Sequence, residues 1–107
     1  MASTPNRIHF VSRYSTRTQR GWKDIGLGCF TTEAWAVSEA AARAVKQIWL
    51  HDRKDDTAWD GGEVIEAVPV QVPNRRAPKW RFKVLRSAAS GVTWPGAQGG
   101  GPEKAYV

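Results

Sequence analysis

The residues best equipped for chemistry in this chain are cationic: Arg13, Arg17, Arg20 and Lys23 toward one end, and Arg75, Arg76, Lys79, Arg81, Lys83 and Arg86 toward the other. Arginine predominates, and a guanidinium forks onto a phosphate or carboxylate and stacks on a flat ring. Tyr14, Trp22 and Trp80 are interleaved with these cations. Aromatic rings among basic residues suit a surface that grips phosphates and stacks bases. The expected contact set is Arg13, Arg17, Arg20, Lys23, Arg75, Arg76, Lys79, Arg81 and Lys83, with Tyr14 or Trp80 as the stacking platform.

The charge is sorted along the chain. Residues 1–23 hold five basic residues and no acid, residues 24–66 hold nine acids against four bases, and residues 67–107 hold seven bases and Glu103 alone. The net charge of +6 therefore sits in two blocks around an acidic middle. If folding joins the blocks, the protein has a basic face, which fits nucleic acid, a nucleoprotein or an acidic protein surface.

The other candidate groups point to less. Asp52, Asp55, Asp56, Asp60 and Glu63 crowd one stretch, but D-R-K-D-D-T-A-W-D lacks the central glycine of a calcium loop and sets cations between the acids. A solvated loop is the expectation there. His9 and His51 fall on different elements with no recognisable nucleophile or carboxylate arrangement beside them. Cys29, the single cysteine, excludes an internal disulfide and lies in an apolar stretch that suits an inert thiol. Gly26 and Gly28 form G-x-G without a third glycine or a following helix, so no phosphate-binding loop is indicated. No catalytic motif, cofactor or metal site is expected, and the chain reads as a binding module rather than an enzyme.

Several elements must position these residues. Residues 7–15 read as a first strand, S-T-R-T-Q-R-G at 15–21 as a hairpin loop, and Trp22–Phe30 as a second strand, with a short third strand reaching Val37. Ser38 is a favoured N-cap for E-A-A-A-R-A-V-K-Q-I-W-L-H, and Ala41, Ala44, Val45, Ile48 and Trp49 share one helical face, so a helix is predicted over 39–51. Residues 52–62 read as an acidic loop closed by a glycine pair. A strand at 63–72, an edge or bulged strand because of Pro69 and Pro73, leads through a basic turn at 74–79 to a strand at 80–85. There Trp80, Phe82 and Val84 alternate with Arg81 and Lys83.

The fold class expected is α+β: a small antiparallel sheet with one helix packed on one face, in the order β-β-(β)-α-β-β. One helix covers one side, so His9, Arg13, Arg81 and Lys83 are expected on an open polar side. At 107 residues the chain has room for one core, placed in residues 1–86, and 87–107 holds five of ten glycines and reads as a flexible tail. Trp94 in T-W-P-G is the one anchor candidate there, either docking back onto the domain or serving as a contact residue for a partner. The 41% hydrophobic content argues against global disorder, and six tryptophans supply either core or contacts. No run approaches ~18 apolar residues and no apolar leader precedes Ile8, so no membrane association and a cytoplasmic location are expected.

The run from Asp24 to Leu50, D-I-G-L-G-C-F-T-T-E-A-W-A-V-S-E-A-A-A-R-A-V-K-Q-I-W-L, resembles the segment of HicB-like antitoxin domains in which an Asp-x-Pro-Gly-Cys turn leads through a capped, Ala-rich helix to a Trp-Leu pair. G-G-E-V-I-E-A-V-P-V-Q-V at 61–72 is similar to the strand that follows, so the resemblance spans about residues 8–72. Leu27 stands where that family has proline, and no DNA-binding helical motif follows. The resemblance implies a partially RNase-H-like fold without catalytic residues that binds a small toxin. The pattern is also similar to small phage and mobile-element proteins, which implies an inhibitor or accessory role as the alternative to nucleic-acid binding.

Overall fold

The computed structural model describes residues 6–88, 91–95 and 104–106. They form a mixed seven-stranded sheet with few helices, an α+β domain. Strands β1 (Arg7–Val11), β2 (Lys23–Gly26), β3 (Cys29–Thr31), β4 (Gln47–His51), β5 (Ala58–Val70), β6 (Lys79–Arg86) and β7 (Lys104–Tyr106) lie in the order β2-β3-β6-β5-β4-β1-β7. β1 and β4 are parallel, and the other pairs are antiparallel. Among the described residues no helix is long and apolar enough to cross a membrane.

The sheet curls around its core. Three strand steps separate β6 from β1, roughly 14 Å in a flat sheet, yet the Phe10 and Phe82 ring centroids are 6.4 Å apart. Trp35 closes the remaining gap. Its backbone exchanges two 2.8 Å hydrogen bonds with Trp80 of β6, while its indole stacks on Phe10 of β1 at 4.2 Å. Ile8, Phe10, Ile48, Leu50, Phe82 and Val84 are all essentially sealed inside. Trp49, Trp80 and Trp94 are buried, and Trp22, Trp35 and Trp59 pack partly buried against the core, so the tryptophans are core rather than contact residues.

Several predicted elements are corrected. The helix begins as read, with the Ala41 amide donating to Ser38 Oγ at 3.1 Å, but α2 spans only Glu39–Ala44. Val45 is extended, and 47–51 is the central strand β4. Ile48 and Leu50 enter the core while Trp49 and His51 are buried on the opposite face, and a strand paired on both edges buries all four. Strand 22–30 folds in half. Leu27 and Gly28, at φ of 55° and 76°, make a tight turn between β2 and β3. The 15–21 loop is a 3-10 turn (Tyr14–Thr16) followed by α1 (Arg17–Arg20). Gly21 ends α1 in the left-handed conformation, with the Trp22 amide donating to the Arg17 carbonyl at 2.9 Å. β5 starts at Ala58, not 63, and runs through the glycine pair: a Cβ at Gly61 would collide with the Trp49 indole, and one at Gly62 with the Leu85 carbonyl. The glycines permit close approach inside a strand rather than ending a loop.

Of the stretch read as a tail, Trp94 is docked and Lys104–Tyr106 pairs antiparallel with β1 as an edge strand. Trp94 seals a histidine pair. His9, expected on an open polar side, is 5% exposed, and its Nδ1 lies 2.8 Å from His51 Nε2. His51 Nδ1 is 3.0 Å from the Asp56 carbonyl, which can only accept. His51 Nδ1 therefore carries the proton, its Nε2 accepts, and His9 Nδ1 donates. Both rings meet Trp94 edge-on.

Burial first, then His51 and Arg7, lower the His9 pKa from 6.5 to about 4. Burial also lowers that of His51, against the opposing pull of the Asp56 carbonyl and carboxylate. The unfolded chain takes up a proton at His9 near pH 6.5 that the folded site refuses until about pH 4. Stability is thus intact above pH 6.5 and falls on acidification toward pH 4, by roughly 2 to 3 kcal/mol from this residue. Urea melts from pH 7 to 4 show that loss in the wild type, and His9→Asn, which keeps a donor near Nδ1 without a titrating ring, makes the profile shallower by the His9 share.

Candidate functional site

Alternation along β6 decides what each of its cations does. Trp80, Phe82 and Val84 point into the core, and Arg86 shares their parity. Arg86 accordingly meets two carboxylates. Its Nε lies 3.2 Å and 3.3 Å from the Asp60 oxygens, and its Nη1 is 3.3 Å from Asp24 Oδ2. The guanidinium also lies over Phe30 and Trp22. Asp60, expected in a solvated loop, is a buried residue of β5, where desolvation pushes its carboxyl up while the Gly61 amide and Arg86 pull it down. Arg86 is a structural counter-ion here.

Lys79, Arg81 and Lys83 have the other parity and point outward. Lys83 faces Thr31 of β3, and Thr31 faces Lys23 of β2, so the two lysines flank one threonine on the same sheet face, roughly 10 Å apart by strand spacing. Arg81 Nε donates to the Thr32 carbonyl at 3.1 Å, and its Nη2 lies 3.5 Å from where a Gly21 Cβ would stand. Arg81 therefore sits beside the residue that follows Arg20. Arg20 itself lines a cleft of about 300 Å³ together with Glu33, Trp35, Lys79 and Lys104. The two basic blocks meet at this end of the sheet.

The other predicted residues are placed as follows. Arg75 and Arg76 are exposed in the β5–β6 turn, separated from Lys79 by Ala77 and Pro78, and the Arg75 carbonyl accepts from Gln71. Arg13 is exposed at the end of the strand-one region. Tyr14, 52% exposed, is an accessible aromatic, with the Arg17 guanidinium 3.6 Å over its ring, Trp59 edge-on, and its amide bound to Asp52. Arg17 is thereby half-buried in an aromatic cluster, its Nη1 donating to the Tyr14 carbonyl. Trp80 is 3% exposed, a core residue with Arg43 over its ring, so it offers no stacking face. Lys104 was not among the predicted residues; K-A-Y after a glycine run is too short for a periodic signal.

Neutralisation separates the cations into two kinds. Arg43, Arg53 and Arg86 each pair with a carboxylate. Among the described residues, none of Arg13, Arg17, Arg20, Lys23, Arg75, Arg76, Lys79, Arg81 and Lys83 does so within 4.0 Å. Glu66 faces Lys83 in the β5–β6 register without forming an ion pair with it. Among the described residues no cluster of three or more histidine, cysteine or acidic residues is arranged to hold a metal ion. Comparison with protein-family models, curated proteins and solved structures finds no match to this chain.

The two kinds of cation respond differently to removal. Arg86→Gln leaves Asp60 buried without its partner and costs about 2 to 3 kcal/mol, the lower end of a broken buried pair because the guanidinium is partly exposed. Lys83→Gln changes stability by less than about 0.5 kcal/mol. Denaturant melts of the two variants check the contrast, and equal losses would erase the distinction.

Proposed function

We propose that the protein is a non-catalytic module that binds nucleic acid, or the nucleic-acid part of a nucleoprotein, through the surface where its two basic blocks meet. The observation that carries this reading is the convergence of Arg20 and Lys23 with Lys79, Arg81 and Lys83, without carboxylate partners among the described residues. Clustered like charges repel one another and do little for folding, whereas a polyanion relieves that repulsion and releases its counter-ions. Arg75 and Arg76 extend the surface beyond Lys79, and Tyr14 with Arg13 is a second, smaller contact point that supplies the stacking ring. The contacts are to phosphate and ring faces, so affinity is broad in sequence.

A second reading, a small protein-binding inhibitor of the antitoxin type, is favoured by apolar residues outside the core. Leu27, at the tip of the β2–β3 turn, is 98% exposed, and Ile25 and Leu85 are 41% exposed nearby in the same hairpin and its neighbour β6. Leu27→Glu separates the readings: it abolishes binding to a protein partner at this tip and leaves nucleic-acid affinity within about twofold.

With about four to six phosphate contacts, affinity for duplex DNA falls with salt at a log–log slope of about −4 to −5. Arg75→Glu combined with Arg76→Glu leaves the melting temperature nearly unchanged and weakens binding at least tenfold. Fluorescence anisotropy across a salt series reads both. A flat salt response, or full affinity in the double variant, sinks the proposal.

A further inference from the structure

We propose that the cleft between Arg20, Lys79 and Lys104 is a phosphate-binding subsite, and that filling it fastens the C-terminal strand β7 to the body of the sheet. The inference deepens the nucleic-acid reading and rests on it only for the polymer; the subsite recognises the phosphate group itself.

Three cations from three remote parts of the chain line this one cleft: Arg20 at the end of α1, Lys79 at the start of β6 and Lys104 on β7. Among the described lining residues Glu33 is the one acid, and it also accepts a hydrogen bond from Ser12 Oγ at 3.2 Å. The described lining residues thus place three cations against one carboxylate. The cleft, about 300 Å³, is large enough for a phosphate or diphosphate group.

Donors are available. Lys104 Nζ donates to the Ala36 carbonyl, which fixes the side chain over the 33–36 segment, and an ammonium has two further protons to give. Arg20 is exposed, and its planar fork matches two phosphate oxygens.

The link to β7 follows from where Lys104 stands. β7 is a three-residue edge strand held by β1 alone in the sheet order, and Lys104 pairs with Phe10. Bringing its charge next to Arg20 and Lys79 opposes that pairing. An oxyanion among the three reverses the sign of the interaction, so a ligand that binds the assembled cleft stabilises β7 by linkage.

The test uses the full-length protein and pyrophosphate, with sodium chloride at matched ionic strength as the control. At ten times its dissociation constant pyrophosphate raises the melting temperature by roughly 5 to 10 °C, and the amides of residues 104–106 gain hydrogen-exchange protection. Lys79→Gln and Lys104→Gln each reduce the shift to under about 2 °C; Arg20→Gln, at an exposed position, is the substitute if either fails to fold. Arg53→Gln, which is paired with Asp55 and Asp56 and is not among the described lining residues, leaves the shift intact. No shift in the wild type, or the same shift in the cleft variants, overturns the proposal. An oligonucleotide arm distinguishes the two readings. Pyrophosphate stabilisation without oligonucleotide binding removes the nucleic-acid reading and keeps the subsite, whereas salt-sensitive oligonucleotide binding without a pyrophosphate shift does the reverse.

Discussion

The contact between Phe10 and Phe82, with Trp35 stacked on Phe10, is the constraint on which the arrangement depends. A seven-stranded sheet presents two broad faces, and the described residues have too little helix to cover either. Curling solves the problem for one face by letting the sheet supply both walls of its own core, so that β1 and β6 touch across it. Trp35 joins those walls, bonded to β6 by its backbone and to β1 by its ring. The outer face then divides. The β1–β4 part is covered by Trp94 over the two histidines, and the β6–β3–β2 part bears the lysines and Arg81.

Once that curvature is fixed, side-chain parity assigns each charge its partner. Arg86 is one residue out of step with Lys83 and Leu85, which places it on the core face, where an unpaired guanidinium would be costly. The β4–β5–β6 register brings Asp60 to it from one side, and the β2–β3 hairpin brings Asp24 from the other. Arg53 binds Asp55 and Asp56 within their own loop. Asp24 and Asp60 are therefore held by a cation of the core face, and Asp55 and Asp56 by one of their own loop. The basic face is a product of topology as much as of composition.

Strand β6 was legible because alternation between a buried and a wet face is the strongest signal a strand gives, and Trp80-Arg81-Phe82-Lys83-Val84 is such a run. β4 was not, since a strand buried on both faces has no alternation, and Ile48 and Trp49 also complete a helical stripe begun by Ala41 and Ala44. The Ser38 cap is local and visible in the sequence, whereas the end of its helix at Val45 depends on β1 and β5 accepting the next residues as a strand. Gly61 and Gly62 read as loop closure because composition cannot tell a turn from a close approach. Leu27 with positive φ hid the hairpin, because a leucine is a rare occupant of that conformation. The candidate cations were legible as a set. Which of them are neutralised, and that Trp80 is covered, depends on burial and register, which no local pattern carries.

The C-terminal stretch is held to the domain in both places where it is described. Trp94, a docking candidate in the sequence, and Lys104 attach to opposite sides of β1, while Gly96 and Gly99–Gly101 lie outside the described residues. Trp94 packs against His9 on the outer face, and Lys104, opposite Phe10, shares the parity of the core and reaches the 33–36 segment. Each attachment rests on a group whose charge matters: the first requires the histidine pair to stay neutral, and the second requires a lysine to lie near Arg20 and Lys79. Acid weakens the first contact by charging His9, and an anion in the cleft strengthens the second by screening three cations. The two docked pieces therefore respond to different solution conditions, because one is closed by an aromatic lid over a desolvated pair and the other by a cation at an open cleft.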